Sequence, residues 1–399
     1  MAVAAVATQA TAVRDQIAEA RGRGETVRLA GRREWLDAGH PVSAARTIDL
    51  SGHTGIVEYV PGDFTLTARA GTPLGEIARA TAAENQWLAL DPFGSDRGSL
   101  GATVATASAG PLAHAFGTPR DQVLGIEVVT GTGDVIRAGG RVVKNVAGFD
   151  LTRLFTGSWG TLGAITEISV RLRARPAADA HLAVALPDER PAAIAMLCRE
   201  AAIMRADPYA LELVDARFAV RLGLPAATTL LVRLGGNATA VAAQRAAVAS
   251  LGRLTELPEG VWDVMRTAEP PGSSVVRITS RPSALPSQWT AMVDAMAALP
   301  DVLVHGSVGR GTVRAIVPDA PPAALAGAVQ RLARHARGFS AERLPPLVWA
   351  IADATWAERP MSGEKADSVR VRNELLRRVK DAYDPLHLLN PGIMGEAIA

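Results

Sequence analysis

Between residues 98 and 167 the chain carries three segments nearly free of bulky side chains: GSLGATVATASAG (98–110), FGTPRDQVLG (116–125) and GSWGTLGAITE (157–167). Glycine and alanine let a backbone approach a large ligand closely and leave its N–H groups open to it. One such segment marks a turn. Three in close succession point to a domain whose loops are shaped around a planar or pyrophosphate-bearing group.

The commoner glycine-dependent nucleotide folds do not account for them. Only Lys144, Lys365 and Lys380 are lysines, none is followed by Ser or Thr, and no GxxxxGK[ST] loop exists. Gly131-Thr132-Gly133 lacks the third glycine of GxGxxG. Gly157, Gly160 and Gly163 do not open a helix after a first strand. The lone Cys198 excludes an intramolecular disulfide, a cysteine zinc cage and a cysteine-ligated iron–sulfur cluster within this chain. A net charge of +2 gives no electrostatic case for nucleic acid. No apolar run approaches the ~20 residues of a membrane span. The first residues, MAVAAVATQATAVRDQ, lack a positive n-region, so a cytoplasmic protein without a signal peptide is expected.

Patterning divides the 399 residues into two regions of different texture. Residues 11–22 have helical spacing, with Val13, Ile17 and Ala20 on one stripe and Gly22 as C-cap. Short strands follow at 26–30, 46–50, 56–60 and 65–70. Thr72 and Pro73 then open a helix to Glu84, with Thr72 as N-cap. The spacing predicts paired strands over 123–136 and another strand over 164–173, with a boundary at Arg175-Pro176. From about 180 to 350, strands at 181–186, 210–214, 229–234, 274–279, 302–304 and 312–317 alternate with helices near 190–206, 238–251, 284–298 and 321–337. That is an α+β region on an antiparallel sheet. An amphipathic helix over 361–383 ends in DPLHLLNPG.

Taken in order, GSLGATVATASAG, FGTPRDQVLGIEVVTGTGDVI, GGRVVKNVAGFDLTRLFTGSWGTLGAITE and DPLHLLNPG resemble the FAD-binding domain of the vanillyl-alcohol oxidase and p-cresol methylhydroxylase family. That family includes the bacterial D-2-hydroxyacid dehydrogenases, and RVVKNVAGFDLTRLFTGSWGTLG is similar to its glycolate oxidase E-subunit group. The resemblance implies an α+β fold: a two-part FAD-binding domain (1–176), an inserted α+β cap (177–350), and a C-terminal helix and NPG tail (351–399) returning to the flavin. It implies non-covalent FAD held by Pro92, Gly98, Ser99, Gly101, Ala102, Ala105, Thr106, Gly117, Thr118, Asp121, Lys144, Gly160, Gly163, Ile165 and Asn390. The flavin would carry the redox chemistry while the chain binds and orients.

Two departures from the family pattern bear on function. Where relatives have a glycine-rich pyrophosphate loop, VRLAGRREWLDAG offers only Gly31 at its tip, then Arg32 and Arg33. These guanidinium groups either pair with the pyrophosphate or are ordinary surface arginines. Where relatives carry HxGDGNxH, this chain reads HGSVGRGT (305–312). The first His survives as His305, but Val308, Arg310 and Thr312 replace the other polar positions, too few ligands for a metal. His305 is then a general base with Arg310 as carboxylate clamp, or a strand-end histidine beside a glycine turn. His114 and His387 either face the flavin or lie on loops; His40 and His53 match no covalent-attachment loop.

Three functions follow from the resemblance. The first is the FAD-binding subunit of a glycolate oxidase-type complex oxidising a small 2-hydroxy acid, glycolate to glyoxylate. Its partners would be a catalytic flavoprotein and a separate iron–sulfur subunit, and it would meet the inner membrane only through them. The second is a self-sufficient FAD-dependent 2-hydroxyacid dehydrogenase. The third is a cofactor-free assembly subunit with the same fold.

Overall fold

The computed structural model describes residues 3–140, 150–186, 188–336, 338–356 and 366–395. Lys144 therefore lies outside the described residues. The first region contains α1 (Val3–Arg23), β1 (Val27–Ala30), β2 (Arg46–Asp49), β3 (Ile56–Val60), β4 (Thr65–Arg69) and α2 (Leu74–Ala82). It continues with β5 (Gln86–Trp87), α3 (Leu100–Thr106), α4 (Ala113–Phe116), α5 (Pro119–Gln122), β6 (Val123–Thr130), β7 (Val135–Gly139), α6 (Leu151–Phe155), β8 (Gly163–Arg171) and β9 (Arg173–Ala174). Strands β3-β4-β8-β6-β7 form an antiparallel sheet, while β1 and β2 pair in parallel beside it. Val13, Ile17 and Ala20 bury the predicted stripe of α1 against Val129 of β6 and Ala164 of β8. The helix runs past Gly22 and turns at Gly24, whose φ is +64°.

Two local expectations give way to tertiary contacts. Thr72 does not cap α2, which starts only at Leu74; its Oγ1 bonds the N–H and C=O of Gly55 instead. The small-residue stretch 98–110 is partly helical. Ser99 Oγ accepts from Ala102 N at 3.3 Å to cap α3. A Cβ on Gly101 would stand 2.6 Å from Ala70 Cβ, so this glycine is what lets α3 lie on the end of β4.

The second region adds β10 (Ala178–Ala185), α7 (Pro191–Ile203), β11 (Ala210–Val214), α8 (Ala216–Arg221), β12 (Thr229–Gly236), α9 (Ala238–Ala249), β13 (Leu254–Glu256) and α10 (Val261–Arg266). Then come β14 (Ser274–Thr279), α11 (Leu285–Met296), β15 (Leu303–Ser307), β16 (Thr312–Val317), α12 (Pro322–His335), β17 (Phe339–Arg343) and α13 (Pro346–Trp356). Its eight strands pair antiparallel in the order β13-β10-β12-β11-β15-β16-β14-β17. Leu211, Leu213, Leu230, Val232 and Val304 pack on one face beneath the long helices; Ala210, Val214, Leu231, Leu303 and Ile316 pack on the other with Phe218 and Trp262. Both faces are buried, which is why these strands read as near-continuous apolar runs.

The chain ends with α14 (Ala366–Tyr383) and a tail that returns to β1. Val27 N donates to Leu388 O (2.7 Å) and Asn390 N to Val27 O (2.8 Å). The buried Lys380 secures this return, donating to Thr161 O, Leu389 O and the Asp384 carboxylate. Among the described residues no helix is long and apolar enough to cross a membrane.

Candidate functional site

Strand alternation builds one wall of the site. Glu212 on β11, His305 and Ser307 on β15, and Arg314 on β16 fall on the same face as Leu303 and Ile316, because side chains two residues apart share a face. Register sets Glu212 opposite Ser307, His305 opposite Arg314, and Arg314 opposite Arg277 of β14. The apolar end of this face is closed by α8 and α10. The polar end looks onto the first region.

A cleft lies against β1, the 31–36 loop, α3, the 157–163 turn and the C-terminal tail. Of the residues expected to hold the cofactor, Gly31, Arg32, Pro92, Gly98, Ser99, Gly101, Ala102, Ala105, Thr106, Gly160, Gly163, Ile165 and Asn390 all line it. Its glycines are sterically required: a Cβ on Gly31 would stand 2.8 Å from Ser99 Oγ, and one on Gly160 would stand 2.7 Å from Asn390 Nδ2. Asn390 bridges both sides, accepting from Leu29 N at 2.8 Å and donating to Trp159 O at 2.7 Å. Such a glycine-walled cleft, with the sealed guanidinium nitrogen of Arg28 among its lining, fits a dinucleotide cofactor such as FAD.

Gly117, Thr118 and Asp121 are the exception, and line neither this cleft nor the cavity beyond it. Asp121 accepts from the N–H and Oγ1 of Thr118, both at 2.9 Å, in a capping box that starts α5. Gly117 has a φ of +78° and no room for a side chain beside Asp121. The glycine and the acid are used up in making the turn.

A second cavity, of about 1110 Å³, opens between the cleft and the polar sheet face. Trp35, Phe93, Thr106, Ser108, Trp159 and Ile393 line both, so the two spaces adjoin across a shared wall. His305 and Arg310 line the second cavity. His305 is 3% exposed, with Nδ1 3.2 Å from Glu212 Oε2 and Nε2 3.5 Å from an Arg314 nitrogen. A carboxylate only accepts, so the Nδ1 contact puts the ring proton on Nδ1 and leaves Nε2 as the lone-pair nitrogen. Arg314 is the centre of a buried network: it donates to Glu342 from Nε (3.0 Å) and to Glu269 (2.8 Å). Burial would raise the Glu342 carboxyl, but Arg314 and Arg277 bring it down to about 2.

Several polar atoms around this cavity are sealed and lack a protein partner: Ser307 Oγ, Ser108 Oγ and Arg277 Nε. The half-buried Arg310, whose guanidinium pKa is lowered by burial, lies on the turn between β15 and β16. Buried donors without acceptors are costly, and a ligand with anionic oxygens would satisfy them. His114 packs against this turn, leaving no room for a Cβ on Gly309; its pKa is lowered by burial and by Arg310. His387 instead pairs with Asp381 at 2.8 Å on the surface, and His40 stacks on Trp349. Among the described residues no three His, Cys, Asp or Glu side chains are grouped to hold a metal ion.

Sequence reading did not single out Arg28, Trp35 or Phe93 in the cleft, nor Glu212, Arg277 and Arg314 in the cavity. The cavity residues are distant in sequence and meet only through strand pairing.

The FAD binding domain family model matches residues 1–139. Over 146 residues the chain is 44% identical to glycolate oxidase subunit GlcE of Escherichia coli (strain K12), covering 36% of this chain and 41% of the relative. It is 39% identical over 121 residues to glycolate oxidase subunit GlcD of Bacillus subtilis (strain 168), covering 30% of this chain and 26% of that protein. These matches span less than half the length of either relative. D-2-hydroxyglutarate dehydrogenase of Xanthomonas citri pv. viticola is 27% identical over 373 residues, 84% of this chain and 76% of the relative. In fold, the chain superimposes on substrate-bound p-cresol methylhydroxylase with a TM-score of 0.77 at 15% identity, covering 97% of this chain and 87% of the other. For 4-ethylphenol oxidase from Gulosibacter chungangensis the TM-score is 0.71 at 15% identity, covering 96% and 87%.

Proposed function

This chain carries, over residues 1–139, a domain of the FAD-binding family and has the fold of p-cresol methylhydroxylase, and on that footing we propose that it is an FAD-dependent oxidoreductase acting on a small 2-hydroxy acid, as one subunit of a glycolate oxidase-type complex. The observation that carries the proposal is the wall that the glycine-lined cleft shares with a cavity bearing His305, Arg310 and the unsatisfied Ser307 hydroxyl. FAD seated in the cleft would supply the acceptor for a hydride equivalent.

The chain's own side chains divide the remaining work. Arg310, with Ser307 and Arg277 beside it, holds the substrate carboxylate. His305 takes the hydroxyl proton at Nε2 in exchange for its 3.5 Å contact from Arg314, and Glu212 fixes the ring through Nδ1 and stabilises the charge that develops. Phe93 and Trp35, on the wall common to both spaces, exclude water and set the substrate against the cleft. Cys198, the lone cysteine, is buried in the cap, with its thiol pushed up by burial to about 11. A cluster-bearing partner subunit is the proposed electron acceptor.

A second reading, a self-sufficient dehydrogenase, is favoured by the alignment with D-2-hydroxyglutarate dehydrogenase over 84% of this chain. One experiment separates the two. The purified chain is loaded with FAD and mixed anaerobically with glycolate or D-lactate. Bleaching of the flavin absorbance by the isolated chain supports the second reading, and bleaching only after the partner subunits are added supports the first. A chain that takes up no flavin would overturn both.

A further inference from the structure

Arg28, on β1, lines the cleft together with the 31–36 loop. Its Nη2 donates to Leu36 O at 2.8 Å, holding the loop. Its Nη1 is sealed from solvent and has no acceptor. A guanidinium N–H buried without a partner is a costly arrangement, which an anionic oxygen from a ligand would relieve. The neighbouring charges are already committed elsewhere. Arg33 is paired with Asp49 at 3.2 Å, and Glu34 is turned away toward Ser95 and Arg97. Arg32 uses only Nε, on Arg97 O at 2.7 Å. This loop offers a single glycine, Gly31, in place of the run of glycines that would let the backbone close directly on a phosphate.

We propose that Arg28 is the phosphate-binding cation of this cleft: its Nη1–H, assisted by Arg32, holds a pyrophosphate oxygen of the dinucleotide in place of a glycine-rich backbone nest. The inference rests on the FAD reading above and names how this chain retains the cofactor. Guanidinium matches phosphate geometry, and a buried charge-assisted bond of this kind is among the stronger single contacts a site can make.

The test measures binding of FAD, riboflavin and ADP to the full chain, by flavin fluorescence and by ADP competition, for the native protein and for Arg28→Met, Arg28→Lys and Arg32→Met. Loss of a charge-assisted bond should weaken FAD and ADP by about 10- to 100-fold in Arg28→Met. Riboflavin, which lacks the phosphates, should bind unchanged. Arg28→Lys should recover part of the loss, and Arg32→Met should show a smaller one. Salt should weaken FAD binding more steeply in the native chain than in Arg28→Met. Thermal melting of the flavin-free proteins identifies a variant that fails to fold, in which case Arg28→Lys and Arg32→Met carry the same comparison. If Arg28→Met binds FAD as tightly as the native chain, the inference falls while the flavin reading stands. Equal losses for riboflavin and FAD would reduce Arg28 to a prop for the loop and also overturn it. A native chain that binds none of the three ligands would sink the flavin reading itself, and the inference with it.

Discussion

The ring of Phe93 lies over the guanidinium of Arg314, whose central carbon is 3.7 Å from the ring centroid. Phe93 belongs to the loop that lines both cleft and cavity, whereas Arg314 stands on the cap sheet. The contact thus joins the two regions at the wall shared by cleft and cavity. Nearby ties reinforce it: Arg266 donates to Pro92 O at 3.0 Å, Gly94 N donates to Arg266 O at 2.9 Å, and Arg343 pairs with Asp37 at 3.1 Å. Arg314→Met would leave Glu342 only the more exposed Arg277 and Glu269 only Arg343 at 3.5 Å. We expect a loss of about 3–5 kcal/mol, read by denaturant unfolding. Adding Glu342→Gln to that variant should recover part of the loss, because one stranded charge is removed. Strict additivity of the two substitutions would show that the network is not coupled.

Arg310 should act on substrate binding and hardly at all on the flavin. With Arg310→Gln, KM for the 2-hydroxy acid is expected to rise about 10- to 100-fold, the worth of one charge-assisted bond. Arg310→Lys should fall between the two. Steady-state kinetics of the assembled enzyme provides the check, and an unchanged KM would remove Arg310 from the carboxylate site.

His305 is asked for a different signature. His305→Gln should lower kcat by at least about 100-fold, the usual contribution of a positioned general base, with flavin content intact. Glu212→Gln, which can still accept from Nδ1, should lower kcat less and leave KM nearly unchanged. A KM effect without a kcat effect in either variant would make the pair a structural feature of the cap.

Gly160 combines a φ of +70° with a position where a Cβ would stand 2.7 Å from Asn390 Nδ2 and 3.1 Å from Leu29 Cδ1. Gly160→Ala should therefore cost about 1–3 kcal/mol in backbone strain, and more if Asn390 cannot move. It should also release FAD on gel filtration, since Asn390 ties the tail to the cleft. Retention of full flavin would mean that the tail is not needed to close the site.

What could be read in the sequence follows from the range of the interactions involved. The strands of the eight-stranded sheet were legible because short apolar runs such as those holding Leu211, Leu213, Leu230 and Val232 are bounded by turn residues and too short for helices. The glycines of the cleft were legible because a backbone that must come close to another group excludes Cβ regardless of context. Thr118 and Asp121 form a capping box in the fold, a use the sequence alone does not separate from a phosphate turn because the same residues suit both. The Glu212–His305 pair was out of reach. The residues are 93 positions apart, and the pairing of β11 with β15 is decided by the packing of the whole sheet.

Asp91 gives a stability prediction with a defined pH window. Its Oδ2 accepts from Leu112 N at 3.0 Å, while Oδ1 is sealed without a partner. Burial pushes its carboxyl from 3.8 up to about 7, although Leu112 N–H, Arg266 and Arg233 act to lower it. The folded chain therefore keeps this proton where the unfolded chain releases it. The associated stability is complete below about pH 4, declines as pH rises through about 7, and is absent above that. Asp91→Asn can keep an acceptor for Leu112 N and removes the ionisation. Its melting temperature should match that of the native chain near pH 4 and exceed it at pH 8. A constant offset across that range would show that Asp91 ionises in the folded protein as freely as in the unfolded one.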